Sequence, residues 1–296
     1  MNTAVSLREP KAAIQLKNVL FATDFSQAST SALPYAASIA KDFGGRVFVC
    51  HIVTPTALAI GAPEAAPYLY QAEMETARRG LAEVVRAPEL DGADTEALML
   101  SGLFGDQVRE AVKNHDIDLV VAGTHGHSGM RRLLLGSAVE EICRVSPCPV
   151  LTVGPDTALW SKAGFKTILY PTDLSAESTQ ALPYASSVAE RYGAKVIFLH
   201  VIPSELASNP QTVKLEEPLR ERTRQLVEEK LGTLESEFMI EAGDPVDTIL
   251  NVARQRYADL IAMGVRNSFA PGVQLRSSIA YRVITGAHCP VLTYRS

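Results

Sequence analysis

The sequence predicts an α/β protein made of two tandem copies of a five-stranded parallel sheet with helices on both faces. Three observations carry that expectation. The stretch "ATDFSQASTSALPYAASIAKDFGGRVFVCHIV" (22–53) realigns without a gap on "PTDLSAESTQALPYASSVAERYGAKVIFLHVI" (171–202), bringing Asp24 onto Asp173, Tyr35 onto Tyr184 and His51 onto His200. The two halves also close alike, "SPCPVLTVG" (146–154) against "AHCPVLTYR" (287–295). A period this long is a duplicated domain rather than a solenoid repeat. Finally, short apolar runs alternate with helical periodicity, which implies βαβ crossovers and a sheet covered on both faces. The expected units are 1–156 and 165–296, with a linker at 157–164 inside the Gly-, Pro- and polar-rich "GPDTALWSKAGF".

The elements of the first copy follow in order. "NVLFAT" reads as a strand, and "SALPYAASIAKDFGG" as a helix stopped by Gly44-Gly45, with Pro34 kinking it or marking its first turn. "RVFVCHI" is the second strand, the three-proline segment 54–70 a loop, and an Ala-, Glu- and Arg-rich helix spans roughly 71–86. "TEALML" is the third strand, and "GDQVREAVKNH" a helix with Asp106 placed to cap it. "DLVVAG", "SAVEEICRVS" and "PVLTVG" complete the copy as strand, helix and strand. The strands that end each copy are apolar edges if left unpaired, so the two halves are expected to pair through them within one chain. Homodimerisation of the full chain stays open.

Composition narrows the partners. At 296 residues with 47% hydrophobic content, the chain is long enough for two buried cores. A formal net charge of -5 gives no electrostatic ground for nucleic acid or an anionic membrane. "MNTAVSLREPKAAIQL" carries charges where a signal peptide needs an apolar centre, and no apolar run is long enough to span a bilayer, so a soluble cytoplasmic protein is expected. Cys50, Cys143, Cys148 and Cys289 lack CxxC spacing and read as buried reduced thiols.

The chemistry concentrates in "GTHGHSGMRRLLLGSA" (123–138), directly after the fourth strand. Glycine removes the Cβ that keeps a backbone away from a ligand and reaches φ > 0 cheaply. A helix starting at Ser137 adds free N–H groups and a positive dipole end, so the pattern suits a phosphate. If strands one and four are neighbours at the switch point, this loop and "TDFS" (23–26) face one crevice, with a base against Ala22, Asp24 and Ile52. Asp24 positions a ribose hydroxyl or a magnesium-bound water, or else caps the next helix. His125 and His127 lack the carboxylate or cysteine company of a metal site, so no protein-held metal is expected. Arg131 and Arg132 read as a solvated face. Neither G-x-x-x-x-G-K-[ST] nor GxGxxG occurs in a matching context.

Gly123, Gly126, Gly136 and Ser137 at this spacing, with "TDFS", "CHIV" and "SPCPVLTV", resemble the universal stress protein family in its tandem form. The resemblance covers almost the whole chain twice. It implies an adenine-nucleotide-binding sandwich of strand order 3-2-1-4-5, with Ala22, Thr23, Asp24 and Ile52 at the adenine and ribose end. Gly123, Gly126, Gly136, Ser137 and Ala138 would hold ribose and phosphates, and the ligand would be ATP, alone or with magnesium. Ala22 departs from the proline often found before "TD" in that family.

The second copy departs further. It keeps "PTDLS", Gly264 and Ser278 but has Asn267 and Ser277 where the first copy has Gly126 and Gly136. Pro171, Asp173, Val201, Gly264, Asn267 and Ser278 therefore make a weak or empty second site. Three function classes stand open: nucleotide-dependent sensing or regulation in a stress response, a slow ATPase or nucleotide-using enzyme, and a nucleotide-free scaffold or small-molecule carrier. The first is favoured, because phosphate ligands are present without a general base or nucleophile beside them.

Overall fold

The computed structural model describes residues 14–54, 66–124, 135–155, 157, 164–207, 217–218, 221–225, 234–265 and 278–295. The first half runs β1 (Asn18–Ala22), α1 (Gln27–Thr30), α2 (Leu33–Asp42), β2 (Arg46–Val53), α3 (Ala66–Val84), β3 (Asp94–Ser101), α4 (Phe104–Asn114), β4 (Leu119–Gly123), α5 (Ser137–Val145) and β5 (Val150–Val153). The second runs β6 (Thr167–Pro171), α6 (Ala176–Thr179), α7 (Leu182–Tyr192), β7 (Lys195–Ile202), α8 (Ser204–Ala207), β8 (Ser236–Ala242), α9 (Pro245–Gln255), β9 (Leu260–Val265), α10 (Ile279–Gly286) and β10 (Val291–Arg295).

The strands form one sheet of ten in the order β3-β2-β1-β4-β5-β10-β9-β6-β7-β8. Each half is therefore 3-2-1-4-5, and parallel throughout. The halves join where β10 runs antiparallel to β5, Leu292 opposite Leu151. Thr152 Oγ1 reinforces the seam by donating to the Val291 carbonyl at 3.1 Å. Pairing these two strands satisfies backbone groups that would otherwise be a bare edge.

Alternation along the strands sends side chains to two cores. Val19 and Phe21 of β1 enter one, covered by α2, α3 and α7; Leu20 enters the other, covered by α4, α5, α9 and α10. Both cores run unbroken from one half into the other. Tyr170, Phe21 and Phe198 are among the largest fully buried side chains.

Two local expectations need correction. Asp106 does not cap α4: the N-cap is Leu103, with no side-chain hydrogen bond, and Asp106 sits inside the first turn against Arg109 at 2.5 Å. The capping carboxylate belongs to the second half, where Asp244 accepts from the N–H groups of Val246 and Asp247. Segment 54–70 is not all loop either, since α3 already begins at Ala66; residues 55–65 lie outside the described ones. Pro67, read as loop punctuation, is instead in the first helical turn, where its missing N–H is an orphan donor anyway. Pro34 likewise occupies the first turn of α2.

Candidate functional site

The order of the strands reverses at β1, which has β2 on one side and β4 on the other. At the carboxyl ends of these three strands lies a cleft of about 550 Å³, within the range of small-molecule sites. Ala22, Thr23, Asp24 and Ile52 line one part of it, and Gly123, Gly136, Ser137 and Ala138 another. Eight of the nine expected first-half residues thus share one cavity; Gly126 lies outside the described residues, as do His125, His127, Arg131 and Arg132.

The "TDFS" turn is rigidly specified. Phe25 adopts φ 65°, a left-handed conformation unusual for a bulky residue. Thr23 Oγ1 accepts from the Phe25 N–H at 3.0 Å and lies 2.9 Å from Ser29 Oγ. Asp24 Oδ1 accepts from both the N–H and the hydroxyl of Ser26, at 3.0 and 2.6 Å, and Ser26 in turn caps α1. Asp24 therefore holds the turn while facing the cleft; the capping itself is done by Ser26. The second half repeats this device with Leu174 at φ 60° and Asp173 Oδ1 accepting from Ser175 N–H at 3.0 Å.

The side of the cleft where phosphates are expected from the sequence is built by α5. Gly136 is its N-cap and has no side chain to occupy the first-turn N–H groups. Its φ is -61°, so it makes no use of glycine's access to φ > 0, and what it supplies is the missing Cβ. Gly123 answers a different demand: a Cβ there would lie 2.3 Å from the Ala28 carbonyl oxygen and 2.8 Å from Ser29 Cα. Its counterpart Gly264 is hemmed in the same way by Glu177 and Ser178, at 2.2 and 2.8 Å. Both glycines let the end of a strand touch the short helix that follows the neighbouring strand, α1 after β1 in the first half and α6 after β6 in the second.

In the second half the helix start is different. Ser278 is the N-cap of α10, and its Oγ accepts from the Tyr281 N–H at 3.1 Å. The hydroxyl expected to face a ligand thus caps its own helix. Pro171 closes β6 in the core, Asp173 is exposed and Val201 half-buried, while Asn267 and Ser277 lie outside the described residues.

Several cleft residues escaped the sequence reading. His51 lines it, stacked on Phe25 with ring centroids 4.3 Å apart. Its Nδ1 is 2.8 Å from the Thr23 carbonyl, which can only accept, so Nδ1 carries a proton and donates. The repeat had signalled this histidine: His200 makes the same bond to the Thr172 carbonyl at 2.9 Å. Phe104, Val108 and Glu141 also line it, with Arg144 Nε donating to the Glu141 carboxylate at 2.9 Å. Cys50 also lines the cleft, but burial pushes its thiol up to about 12, so it stays protonated and non-nucleophilic at neutral pH. Among the described residues no cluster of His, Cys, Asp or Glu is suited to a metal ion, and no helix is long and apolar enough to cross a membrane.

A duplicated open α/β sheet with a cleft at the switch point of its first copy is the class of protein that fold and site define. The universal stress protein family profile matches residues 15–154 and 164–295, and the chain belongs to that family. A universal stress protein of Mycolicibacterium smegmatis is 24% identical over 292 residues, covering 94% of this chain and 96% of its own length. One from Methanocaldococcus jannaschii is 31% identical over 139 residues, 46% of this chain and 81% of that protein. The crystal structure of a universal stress protein from Archaeoglobus fulgidus superposes with a TM-score of 0.74 at 23% identity, over 95% of this chain and 99% of the other, which confirms the fold.

Proposed function

We propose that the chain binds one adenine nucleotide, ATP, in its first half, and that occupancy serves sensing or regulation in a stress response rather than rapid catalysis. The observation that carries this reading is the contrast between the two equivalent helix starts. α5 opens on Gly136 toward the cleft with no side-chain cap, whereas the Ser278 hydroxyl takes the Tyr281 N–H at the head of α10. Uncapped first-turn N–H groups at the positive end of a helix are suited to phosphate oxygens. Ala22 and Ile52, beside the apolar Leu20, Val108 and Val139, offer the base a dry wall. Thr23, Asp24 and His51 offer polar atoms at the ribose position. Magnesium, where it accompanies ATP, would meet Asp24; among the described residues of the cleft none is arranged as nucleophile and base.

Calorimetric titration with ATP tests this reading. One site per chain is expected, with Gly136→Val weakening it at least about tenfold, since a branched side chain would stand where the phosphates approach. Two equally tight sites, or unchanged binding by the variant, would remove the proposal. Nucleotide released from the freshly purified, denatured protein and resolved by chromatography is expected to be ATP.

A further inference from the structure

The end of the glycine segment of the first half is hydrogen-bonded to the second half. Leu135 N–H donates to the Tyr281 hydroxyl oxygen at 3.1 Å, across 146 positions of sequence, with Leu135 only 5% and Tyr281 only 4% exposed. The next amide, Gly136 N–H, donates to the Thr124 carbonyl at 2.8 Å. Two successive amides are therefore held, one by the end of β4 and one by the opposite half, and the residues that follow, Gly136, Ser137 and Ala138, line the cleft.

Tyr281 is itself held firmly. Its N–H goes to Ser278 Oγ at 3.1 Å, and its carbonyl accepts from Thr285 Oγ1 at 3.1 Å. The aligned residue of the first half is Glu140, so nothing in the repeat demands a tyrosine here for the fold of the helix. The hydroxyl serves the other half.

We propose that Tyr281 is a positioning residue through which the second half sets the phosphate end of the first half's nucleotide cleft, making the site a composite of both halves. The proposal rests on the nucleotide reading above. The N–H of Leu135 is buried, and a buried donor left without an acceptor destabilises the conformation that strands it. The conformation seen here, with Gly136 and Ser137 presented to the cleft, is therefore favoured over others by the tyrosine hydroxyl. A ligand that needs this conformation binds more weakly in proportion to the fraction of molecules that leave it. The void that Tyr281 and Leu135 share with Cys143 and Ser146 at the seam, about 20 Å³, has room for one water. A water there can replace part of the lost bond, so the effect is graded rather than absolute.

Tyr281→Phe keeps the ring and removes only the acceptor. Titrated side by side with the parent, it is expected to bind ATP about fivefold more weakly, the net value of one hydrogen bond, and adenosine within about twofold of the parent. A merely structural tyrosine would lower the melting temperature and leave the ATP-to-adenosine ratio unchanged, so an unchanged ratio overturns the inference while leaving the nucleotide reading intact. A parent that binds neither ligand overturns both. A second measurement needs no variant: because coupling between sites is reciprocal, ATP added to the parent should slow amide hydrogen exchange in the peptide spanning 279–284. Exchange there that ignores ATP, in a protein that binds it, also sinks the proposal.

Discussion

Tyr192, the last residue of α7 in the second half, donates its phenol proton to Asp42 Oδ2, at the end of α2 in the first half, over 2.8 Å. The neighbouring pair crosses the other way, with the Arg191 guanidinium 5.9 Å above the Phe43 ring. In the repeat Asp42 aligns with Arg191 and Phe43 with Tyr192, so each helix end meets its own counterpart across the seam. Burial, followed by the hydrogen bond to Asp42 and then its charge, holds the Tyr192 phenol above its ordinary range. Tyr192→Phe should lower stability by about 1 kcal/mol in urea denaturation, and a double-mutant cycle with Asp42→Ala, which leaves no side-chain acceptor, should return a coupling of about 0.5–1.5 kcal/mol. Additive single effects would show that the bond contributes nothing to the seam.

Gly123→Ala and Gly264→Ala should be destabilising to a similar extent, about 1–3 kcal/mol each, because both put a methyl group against the backbone of a short helix that cannot move without pulling on its own cap. Thermal melts of the two variants decide it. If only Gly123→Ala were costly, or if it spared stability while abolishing ligand binding, the glycine would be a ligand contact first and a packing residue second.

Asp24→Asn separates turn from ligand. An asparagine oxygen can still accept from the Ser26 N–H and hydroxyl, so the melting temperature should stay within a few degrees of the parent. Losing the charge should weaken ATP with magnesium more than ATP alone, by about three- to tenfold. Loss of folding would assign Asp24 to the turn alone; equal binding with and without magnesium would remove its metal-facing role.

The pH dependence follows from groups buried in their protonated form. Burial lifts the thiols of Cys50 and Cys289 to about 12, and burial, then the nearby Cys289 and Asp259, lifts Tyr35 to about 12. In the unfolded chain thiols titrate near about 8.5 and phenols near about 10. Since the folded values are the higher ones, these groups contribute fully below about pH 8.5, and the contribution is lost as pH rises from there toward 12. Each fully buried thiol costs up to about 1.4 kcal/mol per pH unit in that window. Denaturation midpoints should therefore fall between pH 7.5 and 10.5; a flat profile would mean that the thiols are solvated.

The fold was legible because strand and helix signals agree with one another here. "VLFA" and "LVVAG" are continuous apolar runs, as strands buried on both faces must be, and the ungapped repeat let each half check the other. The gathering of Ala22, Asp24, Ile52 and Ser137 was legible for the same reason, since a parallel sheet brings the ends of its strands to one rim. The purpose of individual glycines was not. Gly123 looks like a ligand glycine in the motif, but what crowds it is Ala28, a contact that no local pattern encodes. Asp106 misled because position in a first turn and position at a cap differ by three residues in the same acidic, helix-favouring context. Tyr281 carried no signal at all: its importance comes from a bond to a residue in the other half of the chain.

The antiparallel join between β5 and β10 gives the molecule two opposed ends. All strands of the first half finish at one end, together with the cleft; those of the second finish at the other, where Asp173 lies exposed. A macromolecule that sits over the cleft does not thereby cover the strand ends of the second half. The two rims of strand ends thus face opposite ways, an arrangement that two copies laid side by side in the same direction would forbid.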